Sequence, residues 1–290
     1  MTFDLIAAPH TPFHPDGALN LPVVERQAEY LRRAGVSGAF VCGTTGEGMS
    51  LTGDERRAVV ERWVRVGGVP VIAHVGHASQ REATELARHA AGMGVAGIAC
   101  VPPFYHRPAD EAACVEWLTA VAAAAPATPF FYYDIPAVTG VRLPTDVLMR
   151  LAANRIPTFA GVKFSNPDLV LLQECVQAAG DRRRVLFGCD EMLLAAVALG
   201  AHGAVGSTYN LMAPLYRRML AAVAADDWPT ARRLQARSVA VVRVLERFGG
   251  LAAGKAAMAL VGVDCGPVRP PLVSPDPAEL RAALDAVGGL

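Results

Sequence analysis

Charge is scarce in this chain. Of its 290 residues only 19% are charged, acids and bases balance at 27 each, and the formal net charge is zero. No basic stretch suits nucleic acid. Long apolar runs are lacking too, since none reaches the ~18 residues of a membrane-crossing helix. The opening MTFDLIAAPHTP has no basic region ahead of an apolar stretch, which a secretion signal requires. A cytoplasmic protein is expected. The six cysteines (42, 100, 114, 175, 189 and 265) show no CxxC spacing and several sit in apolar runs, so buried reduced thiols are expected rather than disulfides or a cysteine-ligated metal. Hydrophobic residues, at 52%, suffice for the large core of a globular enzyme, and the length permits one large domain or two small ones.

What is present is alternation. Short apolar runs rich in branched residues recur at 4–9, 38–43, 69–75, 96–102, 129–135, 159–164, 184–189 and 203–207, eight candidate strands. Amphipathic stretches separate them: Leu21, Val24, Ala28 and Leu31 fall at helical spacing, with Gly35 as a stop. TGDE at 52–55 and SQRE at 79–82 have the form of capping boxes that start helices. Strands buried on both faces and alternating with helices imply a parallel sheet, and eight of them fit a (β/α)8 TIM barrel. An open doubly wound sheet would carry GxGxxG after its first strand, whereas HTPFHPDG follows here. After residue 210 the chain reads as wholly helical, its longest part AAVAADDWPTARRLQARSVAVVRVLERFGG. The expected α/β organisation is therefore a barrel over 1–210 with a C-terminal helical extension over 211–290 packed on it as one unit.

Within that plan Lys163 is conspicuous, because FAGVKF puts a lysine in a strand that is otherwise apolar on both faces. Active sites of such barrels lie at the C-terminal ends of the strands, where this lysine sits. Apolar surroundings disfavour an ammonium and leave a neutral amine, which is nucleophilic and forms Schiff bases with carbonyl compounds. A lysine whose stem packs while its head reaches the rim is the plainer alternative. The second strand ends in GTTGEG (43–48), whose hydroxyls at Thr44 and Thr45 and backbone N–H groups suit an anion. With no Lys or Arg and no P-loop pattern, a carboxylate is favoured over a polyphosphate, though a tight turn would look the same. In FFYYDIPAVTG alternation sends Tyr132 and Tyr133 to opposite faces, so one phenol can enter the barrel mouth and shuttle protons.

GTTGE after the second strand, Tyr-x-Ile-Pro in the fifth and Gly-x-Lys in the sixth resemble the pyruvate-dependent class I lyase family that includes dihydrodipicolinate synthase and N-acetylneuraminate lyase. The resemblance runs from the first strand to beyond the eighth. It implies a barrel with a helical extension, a homotetramer and a Schiff base to pyruvate or another α-keto acid, with no metal or other cofactor. By it, Lys163 is the nucleophile, Tyr133 the proton shuttle, and Thr44 and Thr45 hold the keto-acid carboxylate. Tyr105, in PPFYHRP, resembles the tyrosine that members pass toward a neighbouring subunit's site, and surface packing explains it equally well.

Branch assignment rests on further residues. Dihydrodipicolinate synthases resemble YN[VI]P-x-R-TG, whereas this chain has Val138 in place of the arginine, and an apolar residue cannot clamp a carboxylate. FGCDE (187–191) and GAVGSTYN (203–210) resemble the sialate lyases. Carried over, Asp190, Glu191 and Ser207 read a sugar's polyol tail, Gly188 lets the sugar approach the backbone, and Ser165 offers a hydroxyl. Capping of the helix MLLAAVAL is the alternative for the two carboxylates. Asp134 stands where many relatives have Asn; facing the site, its charge would act on Tyr133. The implied reaction is reversible cleavage of N-acetylneuraminate, a keto acid, into pyruvate and an amino sugar. An aldolase for another 2-keto-3-deoxy sugar acid stays open. A metal-dependent barrel using His10, His74 and His77, and a silent keto-acid sensor, are the rivals outside the family.

Overall fold

The computed structural model describes residues 3–290. Eight parallel strands close in sequence order into a barrel: Asp4–Ala7 (β1), Gly38–Val41 (β2), Val71–His74 (β3), Gly97–Cys100 (β4), Phe130–Asp134 (β5), Phe159–Phe164 (β6), Arg184–Phe187 (β7) and Gly203–Gly206 (β8), with β8 pairing back to β1. All eight expected strands form, seven of them shorter than their apolar runs and β6 over the whole of its own, 159–164.

Alternation along each strand divides the core in two. Ile6, Phe40, Ile72, Ala99, Phe131, Tyr133, Leu186 and Val205 fill the barrel interior. Leu5, Val41, Ala73, Ile98, Phe130, Tyr132, Val162, Phe164 and Phe187 point outward and pack with the helices. The two faces of Tyr132 and Tyr133 follow from this rule.

Strand β6 departs from it once. Its register slips against β5 between Phe130 and Phe131, and Gly161 has φ +141°. A side chain there would overlap the Arg184 carbonyl, so only glycine fits. The bulge lets Phe159 pack outward and Ala160 inward, after which Val162 goes out and Lys163 in. Tyr133 and Lys163 are thereby direct partners across the sheet.

The helix Val23–Arg33 buries Val24, Ala28 and Leu31, and the chain turns at Gly35 with φ +75°. Thr52 and Glu55 close both bonds of a capping box. At Ser79 only half of one forms: its hydroxyl accepts from the Glu82 N–H, without the reciprocal bond.

The region after 210 is not wholly helical. Asp226 takes φ +57° and Asp227 caps a new helix, so the long run divides into Tyr209–Ala224 and Trp228–Arg247. Helix resumes over Leu251–Ala257 and Pro277–Ala286. Between them, residues 263–276 run without helix, as Pro267, Pro270, Pro271 and Pro275 remove the N–H donors a helix needs. Among the described residues no helix is long and apolar enough to cross a membrane. All six cysteines are free, and all but Cys189 are buried; burial pushes the Cys42 thiol up to about 11 and Cys114 up to about 12.

Candidate active site

At the C-terminal end of β6, Lys163 is 4% exposed. Its Nζ lies 3.8 Å from the centre of the Phe40 ring and 4.0 Å from that of Tyr133, distances at which ring faces attract a cation. Phe40 meets Tyr133 edge-on at 5.4 Å, and His74 does so at 5.6 Å, so the phenol is wedged by two rings. Buried Arg56 fixes that wall by donating to the carbonyls of Gly76 and His74. His74 is held neutral, its pKa well lowered by burial and then by the Arg56 charge.

The Tyr133 hydroxyl reaches Thr44 Oγ1 at 3.3 Å. Thr44 belongs to the β2 loop, which is folded on itself: Glu47 N–H donates to the Thr44 carbonyl and Gly48 N–H to that of Gly43. Two of the N–H groups expected to serve an anion are thus spent within the loop, leaving the Thr44–Thr45 corner facing the opening. Glu47 takes φ +52° and buries its carboxylate, whose Oε1 accepts from Lys255 Nζ at 2.6 Å and whose Oε2 accepts from the Arg269 N–H at 2.8 Å. Lys255 sits in the helix Leu251–Ala257, and its ammonium also caps the Phe13 ring at 3.9 Å. The C-terminal helices therefore hold the loop that presents Thr44 and Thr45.

A cavity of about 270 Å³ opens beside this corner, and Thr44, Thr45, Gly188, Asp190, Glu191 and Ser207 all line it. Its far wall comes from the C-terminal helices, through Leu245, Glu246 and Leu251. Ser165 borders it through Gly188, since its hydroxyl fills the room a side chain at 188 would need.

The Asp190 carboxylate is buried, with Oδ2 accepting from both the backbone N–H (2.8 Å) and the hydroxyl (2.6 Å) of Thr208. It lies over Gly206, where a side chain would overlap it. Thr208 continues through the Tyr216 hydroxyl at 2.6 Å to Ser238 at 2.7 Å, so this carboxylate braces the β7 loop against the β8 loop and the helices. Neither Asp190 nor Glu191 caps the following helix: the Leu194 N–H goes to Gln235 Oε1 at 2.8 Å. The capping alternative is therefore replaced by a cross-loop brace. Burial raises the pKa of both carboxyls.

Three residues lie elsewhere. Tyr105 is 79% exposed, edge-on to His106, and outside the cavity. Val138 lines a second, largely apolar cavity of about 370 Å³ with Met49, Phe104 and Leu272, which adjoins the first at Thr44 and Leu251. Asp134 faces outward. Its carboxylate accepts from Asn166 at 3.1 Å, burial pushes its pKa up to about 6, and its charge acts on Tyr132 rather than on the site. Of the rival histidines, His10 lines the cavity, His74 lies inside the barrel and His77 accepts from the Ser79 N–H. Among the described residues no group of three or more His, Cys, Asp and Glu side chains is placed to hold a metal ion.

Sequence reasoning passed over Lys255, Thr208, Glu246 and the burial of Glu47. One signal was available: of 27 basic residues only Lys163 and Lys255 are lysines.

Comparison with known proteins agrees with this geometry. The model of the dihydrodipicolinate synthetase family matches residues 1–287. The N-acetylneuraminate lyase of Rattus norvegicus is 43% identical over 275 residues, covering 92% of this chain and 86% of the relative. That of Gallus gallus is 41% identical over 293 residues, covering 98% and 95%. Among solved structures, the Proteus mirabilis N-acetylneuraminate lyase superposes with a TM-score of 0.96 at 38% identity, covering 100% of this chain and 99% of that one.

Proposed function

The chain belongs to the dihydrodipicolinate synthetase family, and from that premise we propose that it is a Schiff-base aldolase cleaving N-acetylneuraminate reversibly to N-acetylmannosamine and pyruvate. The observation that carries this reading is the single cavity that unites the Thr44–Thr45 corner with Asp190, Glu191 and Ser207. A carboxylate end and a hydroxyl-reading end face each other, as a polyhydroxy keto acid needs. Val138 supports the same branch, because its apolar side chain leaves no cation at the position where a second carboxylate would dock.

In this mechanism Lys163 Nζ, as the neutral amine, adds to the keto carbon of the open-chain substrate. Loss of water from the carbinolamine gives an iminium that withdraws electrons from C3. Tyr133, in contact with Thr44, carries protons to and from the carbinolamine oxygen. Departure of the C4 hydroxyl proton breaks the C3–C4 bond and releases N-acetylmannosamine. The remaining enamine is protonated and hydrolysed, freeing pyruvate and the lysine. The iminium is itself the electron sink, so the reaction calls for no metal or cofactor.

Asp190, Glu191 and Ser207 line one side of that cavity together, which supports a role for this group in hydrogen-bonding the hydroxyls of the substrate. A cytoplasmic homotetramer belongs to this reading. Tyr105, with Met49 48% and Val138 63% exposed near the second cavity, supplies apolar surface through which a neighbouring subunit would complete the mouth. The test couples lactate dehydrogenase and NADH to the purified protein and follows pyruvate release from N-acetylneuraminate, with 2-keto-3-deoxygluconate in parallel. Release from the first supports the reading; release only from the second keeps Lys163 and Tyr133 in their roles and removes the sialate assignment.

A further inference from the structure

His10 stands just beyond β1, the strand that the closed barrel sets between β8 and β2. It therefore lies between Ser207 and the Thr44–Thr45 corner and lines the cavity they share. The side chain is 1% exposed, yet among the described residues neither ring nitrogen has a partner at full hydrogen-bond geometry. Buried polar groups without partners are uncommon in folded proteins and each calls for a reason.

Loose placement is not that reason. The Ala8 carbonyl accepts from Asn210 at 2.6 Å, the His10 carbonyl accepts from Gln27 at 2.8 Å, and the Thr11 hydroxyl donates to the Gly46 carbonyl at 2.6 Å. The backbone on both sides is pinned, while the Thr45 backbone is the one polar group that the ring approaches. Across from it stands Gly254, a residue disfavoured inside a helix, where an added Cβ would come 3.4 Å from Cε1 and Nε2 of the ring. Burial and the nearby Lys255 charge hold the imidazole neutral, with its pKa lowered to about 3, so it offers one donor and one acceptor.

We propose that His10 is a specificity residue for the aldehyde half of the substrate, hydrogen-bonding a hydroxyl or amide of the sugar between the carboxylate corner and the residues facing the polyol tail. This rests on the aldolase reading above. His10 is no part of the Schiff-base chemistry, and its loss should be felt by the sugar and not by pyruvate.

The experiment compares the full-length protein with its His10→Leu and His10→Gln variants in the condensation direction. Three quantities are read: KM for N-acetylmannosamine, the pyruvate concentration that half-saturates borohydride inactivation, and Tm. His10→Leu should raise KM for the amino sugar roughly tenfold, as expected when a polar group of the ligand loses its buried partner. It should leave the pyruvate value within about twofold and raise Tm, because two unbonded buried nitrogens are gone. His10→Gln should recover part of the KM. A purely structural histidine would move Tm alone, so an unchanged KM overturns the proposal, as does an equal loss of pyruvate affinity. Should His10→Leu fail to fold, His10→Met serves in its place. If the wild type traps pyruvate but condenses it with a different aldehyde, the sialate assignment fails, and the same comparison with that aldehyde still judges His10. Absence of pyruvate trapping in the wild type sinks both.

Discussion

The chain contains two lysines, both buried, in opposite circumstances. Lys255 is closed on all sides, with a carboxylate at 2.6 Å and an aromatic face below. Lys163 has ring faces from Phe40 and Tyr133 and no carboxylate within salt-bridge distance among the described residues. Burial of a charge is tolerable when a partner and further hydrogen bonds repay the lost hydration. Lys255 meets that condition through Glu47 and the Phe13 ring. Lys163 has ring faces alone, and it is the lysine proposed here to meet a substrate carbonyl.

The comparison breaks most visibly at Lys163. Replacement by Ala should lower pyruvate-forming activity by a factor on the order of 10⁴ or more, as for other removed nucleophiles, and abolish borohydride trapping. With one other lysine in the chain, mass mapping of the trapped adduct assigns it without ambiguity. An adduct on Lys255 would reverse the roles drawn here.

Next in size is the closed pair. Lys255→Met or Glu47→Gln alone leaves a buried charge without its partner and should cost about 3–5 kcal/mol in urea unfolding. The double variant should recover much of that loss, whereas additive losses would show that the two side chains act independently. Because Glu47 shapes the Thr44–Thr45 corner, the single variants should also weaken pyruvate binding.

Asp134 extends the comparison to acids. It is buried with a neutral amide for a partner, and its folded pKa of about 6 lies above the ordinary value near 3.8. The folded state thus holds the proton more tightly than the unfolded one. Its contribution to stability is present below about pH 4 and is lost as pH rises through about 6. Asp134→Asn should remove that slope and raise stability at pH 8 by roughly 3 kcal/mol. Tm values of the two proteins from pH 4 to 8 test this; parallel curves would refute it.

How much of this could be read beforehand differs by kind of feature. Strands and the inward turn of Tyr133 follow from local alternation, and Lys163 announces itself by standing in an apolar run. Thr44 stood out as a hydroxyl in a glycine-flanked loop, Asp190, Glu191 and Ser207 were found through motif resemblance, and the cavity brings them together. The Glu47–Lys255 bond joins residues 208 apart, and no local pattern connects them. Thr208 likewise reads as a loop residue until Asp190 is seen against it. The break at Asp226 was hidden by helix-forming neighbours, while the four prolines between 267 and 275 were legible and outweighed by expectation of a continuous helical tail.

That long-range bond also sets an order of events during synthesis. The barrel strands end at Gly206, but the loop that presents Thr44 and Thr45 is pinned by Lys255 and by the Arg269 backbone. A chain emerging from the ribosome completes its eight strands at Gly206, with Lys255 and Arg269 still to be made. Until residue 269 has emerged, the Glu47 carboxylate lacks one or both of these partners, and the Thr44–Thr45 corner of the nascent barrel is without its full brace. The setting of that corner is thereby tied to residues made after the barrel strands are complete.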